Sequence, residues 1–133
     1  MSFGSQTPLA RFLFSRGEVN ASGRVMASGF MPHWYQPHHR FELSTYDIDA
    51  LPEQSVFEIA QEVEATRGKP CKGWAVLKVS DYDAVGLEAD PDDIPPRHVT
   101  VVGWPPAKEQ QKLLAQKISA AFVEAGGAFV PRP

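Results

Sequence analysis

Cysteine is almost missing from this chain. Cys71 stands alone, so no intrachain disulfide can form, and the thiol content gives no sign of an oxidising compartment. No apolar run approaches the ~20 residues that a membrane-spanning helix needs. The first residues, Met1 to Pro8, lack the basic and apolar regions of a secretion signal. An excess of positive charge is missing too. A formal net charge of -3 argues against a general electrostatic grip on nucleic acid, although Arg24, Arg40, Arg67 and Arg97 are free to converge on a local patch. The phosphate loop G-x-x-x-x-G-K, the dinucleotide G-x-G-x-x-G, the nucleophile elbow G-x-S-x-G and C-x-x-C are all absent. These absences lead us to expect a cytoplasmic chain without membrane contact or cofactor, with nucleic acid disfavoured as a partner.

What is present reads as one globular domain over residues 1–133, with residues 1–7 as a flexible tail. The chain is 43% hydrophobic and 22% charged, ordinary proportions for a folded domain. Leu9 to Phe14 is an aromatic-rich first strand. Residues 17 to 40 hold no sustained period, and a gap of that length in a compact domain is more often functional than accidental. A short strand at Arg24 to Met26 fits inside it. From Phe41 to Ile48 the pattern alternates, with Phe41, Leu43 and Thr45 on one face and Glu42, Ser44 and Tyr46 on the other.

A helix is expected next, from Pro52 to a stop at Gly68. Val56, Ile59, Ala60 and Val63 form its stripe, and Glu53, Glu58, Glu62 and Glu64 its wet side. Gly73 to Val79 is a strand, and Ser80 to Asp83 a turn or one-turn helix. An acidic, proline-rich connection follows from Glu88 to Pro96. His98 to Trp104 is the clearest strand. After Pro105 and Pro106 a helix spans about residues 107 to 124 with Leu114, Ile118, Ala121 and Phe122 buried. Ala128 to Val130 offers an edge strand. The sum is an α+β fold, a small mixed sheet of about four to five strands packed by two helices.

Chemistry-bearing residues concentrate in residues 31 to 40, which hold three of the four histidines together with Trp34 and Tyr35. Prolines frame this stretch as a shaped loop. His33, His38 and His39 lack the spacing that puts imidazoles on one face of a regular element, and Cys71 or His98 would join them only through the fold, so no metal site is expected. Aromatics beside an arginine are the commonest anchors of binding surfaces. The acidic residues Asp90, Asp92 and Asp93 lack the glycine and terminal glutamate of a calcium loop and read as a solvated connection. Cys71 lies between Lys69 and Lys72, which would lower its pKa if they approach it.

His98-Val99-Thr100 resembles one half of the paired H-x-T signature of the two-histidine phosphoesterases. In that family two such motifs on neighbouring strands place two imidazoles across a phosphate as base and acid. One copy is present here; the other histidines, in the run from Pro37 to Glu42, lack the hydroxyl two positions on.

The leading expectation is a small accessory domain that binds a protein partner through Trp34, Tyr35, His38, His39 and Arg40, extended by Trp104. A homodimer through the edge strand near Phe129 is a further expectation. The alternative is an enzyme or binding protein for a phosphorylated or nucleotide-like ligand. In it His98 and His39 serve as acid and base, Arg40 and Arg97 clamp the anion, and Asp47 or Asp49 orients an imidazole.

Overall fold

The computed structural model describes residues 3–127 and 129–133. In chain order the strands are β1 (Pro8–Leu13), β2 (His33–Tyr35), β3 (Arg40–Asp47), β4 (Gly73–Lys78), β5 (Glu88–Asp90), β6 (His98–Val102) and β7 (Phe129–Pro131). The helices are α1 (Glu53–Arg67), α2 (Val79–Asp83) and α3 (Lys108–Glu124). The sheet runs β5-β6-β3-β1-β4-β7, with β2 added as a hairpin on β3. All of these pairings are antiparallel.

The α+β architecture holds, but the expected four to five strands undercount a sheet of seven, and the sheet is antiparallel rather than mixed. The strands that escaped, β2 and β5, are three residues each, too short for a period of two to declare itself. The one-turn helix at Ser80 to Asp83 is α2. Among the described residues no helix is long and apolar enough to cross a membrane. Ala128, at the start of the expected edge strand, lies outside the described residues; Phe129 to Pro131 pair with β4.

Alternation along the strands feeds two cores. Leu9, Leu13, Leu43, Leu77, Val99 and Val101 point to the face covered by α3, where they meet Phe30, Ile118 and Phe122. Ala10, Phe12, Tyr46 and Trp74 point to the face covered by α1, against Val56 and Ala60. Helix α1 ends where the sequence said it would, at Gly68, whose φ of 70° is a left-handed conformation that glycine adopts without strain.

The long segment after β1 is organised rather than loose. The Asn20 side chain accepts from the backbone of Ser22 and Arg24, and Val19 pairs with Val25 in a single antiparallel bridge instead of a strand. Both valines and Phe30 plug the α3-side core. Residues 4–7, expected as a tail, form a turn in which the Gly4 amide donates to Thr7 Oγ1. It is tied to α2 by the Ser80 amide bonding the Ser5 carbonyl.

On its second face the sheet is wider than α1. Beyond the α1-side core the same face of β3 and β6 carries Ser44, Glu42, His98 and Thr100, which line a cavity instead, and this strip is the floor of the candidate site.

Candidate functional site

Two neighbouring strands set the floor. Their register pairs Ser44 with Thr100 and Tyr46 with His98. In antiparallel strands a local two-fold axis through the Ser44–Thr100 pair exchanges His98-x-Thr100 with Glu42-x-Ser44. The half-signature noticed in the sequence therefore faces an E-x-S segment, and all four side chains line one cleft of about 730 Å³.

His98 is fixed from several directions. Its Nδ1 lies 2.8 Å from Asp92 Oδ1, and its Nε2 lies 2.7 Å from Ser44 Oγ. An ionised carboxylate only accepts, so Nδ1 carries the proton and donates it to Asp92, leaving Nε2 to accept from the serine hydroxyl. Thr100 Oγ1 donates to the other Asp92 oxygen at 2.6 Å. The Tyr46 ring meets the imidazole edge-on at a centroid distance of 5.1 Å, which sets the plane of the ring. The His98 side chain keeps 14% of its exposure, so it is reachable from the cleft yet held. Burial alone would raise the Asp92 carboxyl, but the hydrogen bonds from Thr100 and His98 outweigh it and hold the group below the ordinary carboxylate value.

The opposite wall is the β2–β3 hairpin. His33, Trp34 and Tyr35 lie in strand β2, followed by a tight 3-10 turn over Gln36–His38; the aromatic stretch is thus a hairpin arm rather than a free loop. Trp34 is 51% exposed and Tyr35 45%, and both line the cleft. His38 lines it as well, its Nδ1 donating to Glu42 Oε2 at 2.7 Å. Of the three imidazoles that line the cleft, two have a carboxylate behind them: Asp92 behind His98 and Glu42 behind His38. Positive charge comes from the end of α1, where Arg67 and Lys69 line the same cavity. Desolvation in the wall, together with the charges of Arg11, Arg67 and Lys69, holds the His33 imidazole below its usual pKa.

Several expectations about residues are corrected. His39, expected as an acid or base, caps the 3-10 turn with φ 51°; it is exposed and does not line the cleft. Its neighbour His38 does. Arg97 is no clamp in this cavity. Its guanidinium bonds the carbonyls of Asp47 and Asp49 at 3.0 and 3.3 Å, and it lines a separate pocket of about 240 Å³ with those residues. Arg40 is ion-paired to Glu42 at 2.6 Å and stands outside the cavity lining. Trp104 is buried in the α3-side core, donating its Nε1 to the Val101 carbonyl, and offers no contact surface.

The acid that orients His98 is Asp92, from the connection read as merely solvated, not Asp47 or Asp49. Cys71 is buried; desolvation raises its thiol pKa, and the flanking lysines do not activate it. Glu64, placed on the wet side of α1, accepts from the Cys71 amide and pairs with Arg132 at 3.0 Å. Among the described residues no cluster of His, Cys, Asp and Glu is arranged to hold a metal ion.

The residues missed were Asp92, Ser44, Arg67 and Lys69. Ser44 was signalled by its place on the Glu42–Tyr46 face of β3. Asp92 carried no signal, because a bond between residues six apart in an irregular connection follows no period.

Compared with known protein families, curated proteins and solved structures, the chain matches none.

Proposed function

We propose that this cleft binds and turns over a phosphorylated, nucleotide-like ligand, with His98 as the proton-transferring group. One observation carries the reading: an imidazole oriented through Nδ1 by a carboxylate, with Nε2 on the Ser44 hydroxyl, lines a cavity large enough for a nucleotide. The surroundings agree with that ligand. Trp34 and Tyr35 are aromatic residues of the wall, Arg67 and Lys69 offer positive charge to a phosphate, and Ser44 and Thr100 bring hydroxyls to the floor. His38, backed by Glu42, adds a further imidazole to the same cavity.

The test is turnover of a phosphodiester such as bis(4-nitrophenyl) phosphate, read beside binding of AMP by NMR shift titration. His98→Ala is expected to lose about 10²- to 10⁴-fold in turnover, the usual worth of a general acid or base, while binding AMP nearly as wild type does. Unchanged turnover in that variant, or no saturable binding in the wild type, ends the reading.

A second reading rests on the exposure of Trp34, Tyr35 and, at 81%, Ile94, which together form an aromatic and aliphatic rim suited to a protein partner. Stoichiometric copurification that Trp34→Ala abolishes would favour it.

A further inference from the structure

Resting on the reading of this cleft as a site for phosphate esters, we infer that Ser44 is a nucleophile and that the reaction passes through a phosphoryl ester on its Oγ. The argument is geometric. Ser44 Oγ, His98 Nε2, His98 Nδ1 and Asp92 Oδ1 form a continuous chain, with links of 2.7 and 2.8 Å on the two sides of the ring. A serine hydroxyl is a poor nucleophile unless a base takes its proton as it attacks, and a base is effective when a third group fixes its tautomer. Both conditions are met here, on a floor that opens to the cavity.

The strand register explains how. Ser44 stands directly opposite Thr100, so His98, two residues before Thr100, is its diagonal neighbour on the same face, within reach of an imidazole. The serine backbone is fixed as well. Buried Arg11 donates from Nη1 to the Ser44 carbonyl at 3.1 Å and from Nε to the Gly29 carbonyl at 2.9 Å.

The step balances with water as the second reactant. Ser44 Oγ attacks phosphorus while its proton passes to His98 Nε2, and Asp92 stabilises the imidazolium through Nδ1–H. The bond from phosphorus to the leaving oxygen breaks, and that oxygen takes the proton from Nε2. Water then gives a proton to Nε2 and attacks phosphorus; the bond to Oγ breaks, and Ser44 regains its proton. Arg67 and Lys69 on the cavity wall offset the charge that builds on the phosphoryl oxygens.

The test is treatment of the whole chain with diisopropyl fluorophosphate, followed by peptide mapping by mass spectrometry. Attack by Ser44 on this probe expels fluoride and leaves a stable diisopropylphosphoryl group. One adduct is expected, on the peptide that contains Ser44, absent in Ser44→Ala and formed at least about 10²-fold more slowly in His98→Ala. No adduct, an adduct elsewhere, or undiminished labelling of His98→Ala overturns the nucleophile. Should Ser44→Ala fail to fold, mapping of the wild-type adduct decides alone. AMP binding, measured on the same preparation, separates the two claims. Binding without an adduct removes the covalent step and leaves the ligand reading, whereas an adduct on Ser44 without AMP binding upholds the serine and removes the nucleotide.

Discussion

At the scale of single residues the cleft depends on how tightly His98 is held. Thr100 and His98 both bond Asp92, so the loss of that carboxylate frees a threonine hydroxyl and an imidazole tautomer at once. Asp92→Asn is therefore expected to destabilise the fold by about 1–2 kcal/mol at neutral pH, the usual cost of losing hydrogen bonds to a charged group. The pH dependence follows from the depressed folded pKa. The contribution of ionised Asp92 is fully present above the ordinary carboxylate value of 3.8 and is lost as pH falls through the lower folded value. Urea midpoints of wild type and Asp92→Asn should differ at pH 7 and converge as pH falls below about 4. A difference that persists or grows in acid would show that the carboxylate is not the source. None of this was legible from the chain. The strand His and its Thr stand out in any reading, but their partner comes from a connection whose prolines and acids resemble ordinary solvated sequence.

At the scale of elements, legibility tracked length and regularity. The eight residues of β3 and the fifteen of α1 repeat their periods often enough to be read, down to the stop at Gly68. The β2 hairpin arm has three residues, all exposed, and its pairing with β3 is a tertiary choice. The same holds at the other end of the sheet, where β7 docks on β4 beside Gly73. The φ there is 146°, and a methyl group would run into the Val130 carbonyl and the Phe129 ring. Gly73→Ala is expected to release β7 while sparing the centre. In hydrogen exchange the amides of Val130 and Arg132, the latter bonded to the Lys72 carbonyl, should lose protection, and those of β3 and β6 should keep it. Uniform loss of protection across the sheet would mean that β7 is part of the folding unit rather than an addition to it.

At the scale of the whole molecule, one sheet separates two cores, each closed by a long helix. Such a sheet transmits the loss of either core to the other, so a single cooperative transition is expected by tryptophan fluorescence and by far-UV circular dichroism. Ile118→Ala, deep in the α3-side core, should cost about 2–5 kcal/mol, whereas Leu113→Ala on the exposed side of the same helix should stay within about 0.5 kcal/mol. Separate transitions by the two probes would mean that the helices and the sheet melt independently.

Strand β3 serves two masters: its odd positions, Leu43 and Thr45, are buried, and its even positions, Glu42 and Ser44, floor the cleft. Gain or loss of one codon inside it would trade the two sets and forfeit packing and chemistry together. Substitution is a different matter, because Glu42, Ser44 and His98 belong to neither hydrophobic core. In evolutionary terms the scaffold resists insertions and deletions there yet tolerates changes of letter. The lining of the cleft is open to exchange, one residue at a time, while both cores keep their packing.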